Sequence, residues 1–326
     1  MTLLRRTFIA ATAGVTLPRT FARAETDKIH KVGLLAPGAP DQGLLGSDIG
    51  RSFTDRGYVE GKTIAFERRA AKGQVGQLPS LVEDLVAQHV DVIMTSGYPA
   101  AKAAKDRAGN TPVVVTLSGD PVATGLAASL AHPGGNVTGV SEVASELSAK
   151  RLALLKEAVP SIKSVAVLWN ADDFGMTLRY QAAEAEAKRT GMLIVPLGVH
   201  QPDDFDTAFS EMTKNLPDAI LMVTDVLTIL NRQRVMDFAA EHRVPAIFEF
   251  AFLVHQGGLM AYGPNVNDVY DRAAELADRI FKGAKPADLP LELPTRFDLA
   301  VNLKTAKALG LDIPQSILLQ ATDVVE

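Results

Sequence analysis

Three apolar runs set the narrowest limit on how this chain can fold: VDVIMT at 90–95, PVVVTL at 112–117 and DAILMVT at 218–224. Each is apolar at nearly every position rather than at every second one, so each reads as a strand covered on both faces, the situation of a parallel sheet between helical layers. Further short β-rich runs fall at Lys31–Ala36, Thr63–Glu67, Asn136–Val140, Ser164–Trp169, Leu193–Leu197, Pro245–Phe248 and Gly258–Tyr262. Between them the spacing turns helical. Around Arg151, Leu152, Leu154, Leu155 and Val159, for example, the apolar members recur at i, i+3, i+4 and i+7 and form one buried stripe. Strand, helix and strand in repetition predict an α/β chain with parallel, doubly wound sheets.

One sheet would have to hold every strand, close to the size at which twisted open sheets stop growing. Two similar lobes fit better. The HPGGN turn at 132–136 closes a first series of units, and the stretch from Ser141 to Ser148 opens a long helix that leads to a second series from Ser164. No low-complexity or polar linker intervenes, so short crossings at a hinge are expected. The expected division is 30–141 plus 259–290 for lobe 1 and 142–258 plus 291–326 for lobe 2. The tail, with Pro286, Pro290, Pro294 and Pro314, is expected to wrap across both lobes and end in a short helix near Leu303–Leu309.

The first 24 residues differ from the rest: Arg5, Arg6, Arg19 and Arg23, no acid, an apolar middle from Phe8 to Leu17, and Ala22-Arg23-Ala24 as a small-x-small cleavage site. This is a signal-peptide pattern, with Arg5-Arg6 resembling the twin-arginine variant. Its apolar stretch is too short for a hydrocarbon core that needs ~20 residues. Export to the periplasm as a soluble protein is therefore expected. Without the leader, 29 Lys+Arg face 38 Asp+Glu. The basic residues are dispersed, which argues against a nucleic-acid partner. The absence of cysteine excludes disulfides, thiol catalysis, thiolate metal sites and a lipidated N-terminal cysteine.

In open α/β sheets ligands sit beyond the carboxyl ends of the strands, where loops feed helix N-termini. Thr95-Ser96-Gly97-Tyr98-Pro99 lies at such an end. Its small hydroxyls, a glycine that lets the backbone approach, and the unpaired N–H groups of the next helix suit an anion such as a carboxylate, although ordinary helix capping uses the same residues. Thr116-Leu117-Ser118-Gly119-Asp120-Pro121 repeats the design one unit later, and Ala36-Pro37-Gly38 ends the first strand similarly. In the second half the strand ends carry Trp169-Asn170-Ala171-Asp172-Asp173, Thr224-Asp225 and Phe248-Glu249-Phe250. A carboxylate there could pair with a ligand amine and a ring could stack on an apolar group. Asp172 and Asp173 read as exposed helix caps, and Trp169 equally as core or as ligand platform. Gly57–Thr63 resembles a P-loop but has three residues between its glycines where four are needed, and it leads from helix into strand, so it reads as a turn. The six histidines stand singly, without metal-ligand spacing. No catalytic, metal or cofactor motif emerges.

The segments RGYVEGKTI, LVAQHVDVIMTSG, GDPVATGLAASLAHPGGNVTGVS, LSAKRLALLKEAVPSIKSVAVLWN, HRVPAIFEFAFLVHQGGLMAYGPN and DRAAELADRIFKGAKPADLPLELPTRFDLAVNLKTAKALGLDIP together resemble the ABC-transporter substrate-binding proteins whose relatives bind tryptophan and similar amino acids. The resemblance spans nearly the whole chain after the leader. It implies a type I periplasmic-binding fold, with two Rossmann-like lobes, a three-stranded hinge and a ligand closed between the lobes. It also implies a membrane permease and its ATPase as partners. First-lobe contacts are then expected from Gly38, Ser96, Gly97, Tyr98, Ser118, Gly119 and Asp120. Asn170, Asp225, Glu249 and Phe250 are the second-lobe candidates. The ligand expected is a small carboxylate-bearing solute, an amino acid or an aromatic acid, held by a monomer without cofactor. The competing readings are an exported enzyme on a Rossmann-like scaffold, which lacks a nucleophile or cofactor motif, and a ligand-sensing regulator, which lacks room for a DNA-binding module before Lys31.

Overall fold

The fully apolar runs become the central strands of two separate sheets in a computed structural model that describes residues 28–39 and 43–326. The leader expected over 1–24 lies outside the described residues. In the first lobe β1 (His30–Ala36), β2 (Ile64–Ala70), β3 (Val92–Ser96), β4 (Val113–Thr116) and β5 (Val137–Gly139) pair in parallel in the order β2-β1-β3-β4-β5. Helices α1 (Ser47–Thr54), α2 (Leu78–Ala87) and α3 (Tyr98–Arg107) lie in the connections between the first four strands. Val92, Ile93 and Met94 on consecutive positions of β3 are all fully buried, Ile93 against the layer of α2 and α3 and its two neighbours against the other. That is why this strand does not alternate.

The chain then crosses to the second lobe through residues 140–143 and continues as α4 (Ala144–Ala158). There β6 (Ser164–Asn170), α5 (Phe174–Thr190), β7 (Leu193–Val199), α6 (Asp204–Lys214), β8 (Ala219–Met222), α7 (Val226–Leu230), α8 (Arg232–His242), β9 (Ala246–Phe248), α9 (Ala251–His255) and β10 (Met260–Pro264) follow in turn. After Pro264 the chain returns to the first lobe as α10 (Val266–Phe281). The buried Tyr270, Ala273, Ala274, Leu276 and Ala277 of that helix close the face of the first sheet formed by Val32, Val92, Met94 and Val114. Burying side chains of this size contributes roughly 1.5–3 kcal/mol each for the larger ones.

The third crossing runs through Glu292, whose backbone bridges Val140, and leads to β11 (Phe297–Asn302), α11 (Leu303–Leu309), α12 (Gln315–Gln320) and β12 (Asp323–Val325). The second sheet thus has the order β12-β11-β10-β9-β8-β6-β7, with β11 antiparallel to β10. The structure departs from the sequence reading in two places. β10, expected to open the return to lobe 1, pairs with β9 and β11 in the second sheet, so the crossing falls after Pro264. The tail does not end in the helix near 303–309 but adds two strands to that sheet.

Candidate functional site

A cavity of about 580 Å³ lies between the lobes at the carboxyl ends of both sets of parallel strands. The first lobe contributes Ala36, Pro37 and Gly38 from the end of β1, Ser96, Gly97 and Tyr98 from the end of β3, and Leu117 from the end of β4. The second contributes Asp173, Met176 and Arg179 from the start of α5, Thr224 and Asp225 after β8, and Phe250 and Phe252 after β9. The lobes touch around it: a Cβ built on Gly73 would lie 3.1 Å from Leu230 Cδ1, and one on Gly175 would lie 3.7 Å from Tyr98 Cβ. Tyr98, Phe250, Phe252 and Tyr270 supply four aromatic rings to a wall that is otherwise mainly apolar.

The opening loop of the first lobe takes the form its residues dictate. Gly97 sits at φ +81°, a left-handed conformation open to glycine, and caps α3. Its own N–H donates to Thr116 O at 3.1 Å and its carbonyl accepts from Ala101 N at 3.1 Å. Pro99 has no N–H, so the first-turn amides left for an anion are those of Tyr98 and Ala100.

Of the residues singled out in the sequence, Gly38, Ser96, Gly97, Tyr98, Asp225 and Phe250 line the cavity. The others stand behind its wall. Ser118 is fully buried and donates to Thr116 O at 2.9 Å, so its hydroxyl closes its own turn. Gly119 donates its N–H to Glu142 at 2.6 Å, and Asp120 accepts from the amide and hydroxyl of Ser145 near the start of α4. Asn170 donates to Asp225 at 2.6 Å and orients that carboxylate. Glu249 is 1% exposed and holds two arginines.

Those arginines were not legible as site residues. Arg179 lies in the interior of α5 with its side chain 2% exposed; its Nη1 donates to Glu249 Oε2 at 2.8 Å and its Nη2 to Glu142 Oε2 at 3.0 Å. Arg151 on α4 donates to Glu249 Oε1 at 2.9 Å and, through Nε, to Tyr262 O at 2.6 Å. The signal was present as a misfit in the pattern: Met176, Arg179, Ala183 and Ala187 share the buried stripe of α5, and a cation at such a position needs buried partners. Burial by itself would favour the neutral guanidinium of Arg179, but Glu249, Glu142 and then Asp173 outweigh it and hold the group charged. Burial pushes the carboxyl of Glu142 upward, against the pull of Arg179.

Asp173 also differs from its expected role. It does cap α5, accepting from Met176 N at 3.2 Å through Oδ1, but it is 5% exposed rather than on the surface. Burial, and then the neighbouring Asp225 carboxylate, push its pKa from 3.8 to about 6. Its second oxygen, Oδ2, has no hydrogen-bond partner among the described residues; the same holds for Arg179 Nε and Thr224 Oγ1. These three atoms belong to side chains lining one cavity. Trp169, by contrast, lies in the second-lobe core, stacked on Tyr180 with ring centroids 3.9 Å apart, and Asp172 is an exposed partner of His200. Among the described residues no group of three or more His, Asp or Glu side chains is arranged to hold a metal ion, and no helix is long and apolar enough to cross a membrane.

The two-sheet architecture with a cavity at facing strand ends defines a periplasmic-binding-protein fold. Comparison with known proteins makes the class specific: residues 46–325 match the model of the ABC transporter substrate binding protein family, and the chain belongs to that family. It is 27% identical over 261 residues to the tyrosine-binding protein of Clostridioides difficile, a match covering 80% of this chain and 75% of that relative. Among solved structures it resembles an ABC domain from Streptococcus pneumonia in complex with L-Trp, with a TM-score of 0.84 at 24% identity, covering 91% of this chain and all of the other. It also resembles the ligand-free, open form of a substrate-binding protein with adhesive properties from Clostridium difficile, with a TM-score of 0.65 at 24% identity over 91% of this chain and 99% of that one.

Proposed function

We propose that this protein is the exported, monomeric receptor of an ABC importer and that it closes around a zwitterionic amino acid with an aromatic or large apolar side chain. One observation carries the reading: the cavity is lined by three buried side chains that each keep an unpaired polar atom, donors on Arg179 and Thr224 and an acceptor on Asp173. Buried polar groups are almost always bonded, so unpaired atoms on side chains of a cavity wall leave bonds that a ligand's own polar groups can make. A carboxylate answers Arg179 Nε–H and the Thr224 hydroxyl. An ammonium answers Asp173 Oδ2 and favours its ionised state. The ligand side chain then rests among Tyr98, Phe250, Phe252 and Tyr270, where offset or edge contacts between rings add to apolar burial. A plain aromatic acid satisfies the donors but leaves Asp173 unanswered. The tyrosine-binding relative and the L-Trp complex support this choice of ligand chemistry. The basic, apolar leader at 1–24 supports export, and family membership supports delivery to a permease driven by an ATPase.

The test is a calorimetric and thermal-shift panel of the proteinogenic amino acids, with tryptamine and indole-3-propionate as analogues lacking the carboxylate or the amine. An amino acid present at 100 times its Kd should stabilise the protein by about 2.7 kcal/mol. Indole-3-propionate binding as tightly as L-Trp, or catalytic turnover of any panel member, would overturn the reading.

A further inference from the structure

We propose that Glu142 is a positioning residue whose ion pair with Arg179 latches the two lobes together, so that the group a ligand presents to Arg179 and the closure of the lobes are coupled through one buried carboxylate. The proposal rests on the reading of the cavity as the ligand's seat.

Glu142 stands on the first crossing, between β5 and α4, and its side chain is 3% exposed. It is fastened to the first lobe at two points: Gly119 donates its N–H to Glu142 Oε2 at 2.6 Å, and Gly119 O accepts from the Glu142 amide at 3.0 Å. Gly119 has φ +74°, and a Cβ there would come within 3.1 Å of Arg179 Nη2, so the turn after β4 and the guanidinium can approach this closely because position 119 is glycine. The same Oε2 accepts from Arg179 Nη2 at 3.0 Å, and Arg179 belongs to α5 of the second lobe. One oxygen is therefore shared between a first-lobe amide and a second-lobe guanidinium.

On the far side the guanidinium is held by Glu249, Glu249 by Arg151, and Arg151 by the carbonyl of Tyr262 in β10, shortly before the second crossing. The charges thus alternate from the first crossing to the second, with Glu142 and Arg179 in the cavity lining and Glu249 and Arg151 behind it. Nη1 and Nη2 of Arg179 each donate to a carboxylate of this series, and its Nε–H is an unpaired donor on a side chain of the cavity lining. A ligand anion at Nε meets a guanidinium whose position is fixed by Glu142 only while the lobes are together. Val143, the next residue, adds a further sign that the crossing is under constraint: it is β-branched yet adopts φ +47°, a conformation that persists only where the surroundings impose it.

The experiment compares wild type, Glu142→Gln and Glu142→Asp, the last keeping the charge while shortening its reach. X-ray scattering of the free proteins reads the latch without any ligand: both variants should show a larger radius of gyration. Calorimetry with L-Trp and with tryptamine, which lacks the carboxylate, reads the coupling. Glu142→Gln should weaken L-Trp by about tenfold or more, the loss expected for a hydrogen bond to a charged group, and tryptamine by a smaller factor, since both ligands share the loss of closure and only L-Trp also presents a carboxylate to Arg179. Equal losses for the two ligands would overturn the coupling of the ligand's carboxylate to Glu142, and an unchanged radius of gyration in both variants would sink the latch. Should wild type bind no panel member, the capture reading falls, and the scattering comparison still decides the latch. Should Glu142→Gln fail to fold, Glu142→Asp is held to the same two criteria, the radius of gyration and the unequal loss between the two ligands.

Discussion

Replacing Asp173 by asparagine should move stability and affinity in opposite directions. In the free protein the carboxyl is buried beside Asp225 and keeps its proton up to a pH of about 6, against 3.8 for the ordinary group. At about 1.4 kcal/mol per tenfold change in proton affinity, the folded state carries a cost of up to about 3 kcal/mol at neutral pH. The sign follows from proton counts: between these pH values the folded chain binds the proton that the unfolded chain has released, so stability falls as pH rises from about 4 to 6 and stays low above. Asparagine carries no such cost, and its side-chain oxygen can still accept from Met176 N as Asp173 Oδ1 does. The Asp173→Asn variant should therefore melt several degrees higher than wild type at pH 7.5, with the gap closing at pH 4. On the proposed reading the same change removes the anion that answers a ligand ammonium and should weaken L-Trp by about 10- to 150-fold, or 1.5–3 kcal/mol. Differential scanning calorimetry across pH, paired with titration calorimetry, measures both. A variant that is less stable than wild type yet binds L-Trp unchanged would refute the assignment of Asp173.

Two further outcomes follow from the same geometry. In wild type the affinity for an amino acid should fall as pH drops below about 6, by up to about tenfold per pH unit as Asp173 takes up its proton, whereas Asp173→Asn should give a flat profile in the same titrations. Trp169→Phe should leave ligand affinity within about twofold, because the indole stacks on Tyr180 in the second-lobe core and lies outside the cavity lining; a larger loss would place the ring in the site.

How far the sequence reaches differs between fold and site. The central strands of both sheets are announced by runs such as Val113–Thr116, buried on both faces and flanked by helical spacing, and the edge strands β2 and β7, which are only partly buried, by their β-rich composition between helical stretches. β11 and β12 are not. Phe297–Asn302 carries Asp298 and follows the prolines at 290 and 294, and Asp323–Val325 is three residues long, so neither offers a hydrophobic period; pairing with β10 and then with each other makes them strands. In the site, the loops after β1 and β3 are legible because ligands in open α/β sheets sit beyond the carboxyl ends of the strands, and both loops leave such an end. Arg179 and Glu142 are not, since a helical arginine and a crossing glutamate ordinarily face water, and only the meeting of α5, the turn at Gly119 and Glu249 encloses them. Ser118 shows the converse: its type and place suit a ligand contact, but its hydroxyl satisfies Thr116 O locally.

The return of the chain as α10 has a consequence for how the molecule is made. A polypeptide ending at residue 258 would contain all five strands of the first sheet yet expose Val92, Met94 and Val114 where Tyr270, Ala273 and Ala277 should lie. Nascent chains therefore hold an uncovered apolar surface until residue 281 has emerged, and the second sheet gains β11 only at residue 302 and β12 only at residue 325. Neither half is a portable module, and a recombinant fragment cut at either early crossing should aggregate rather than fold.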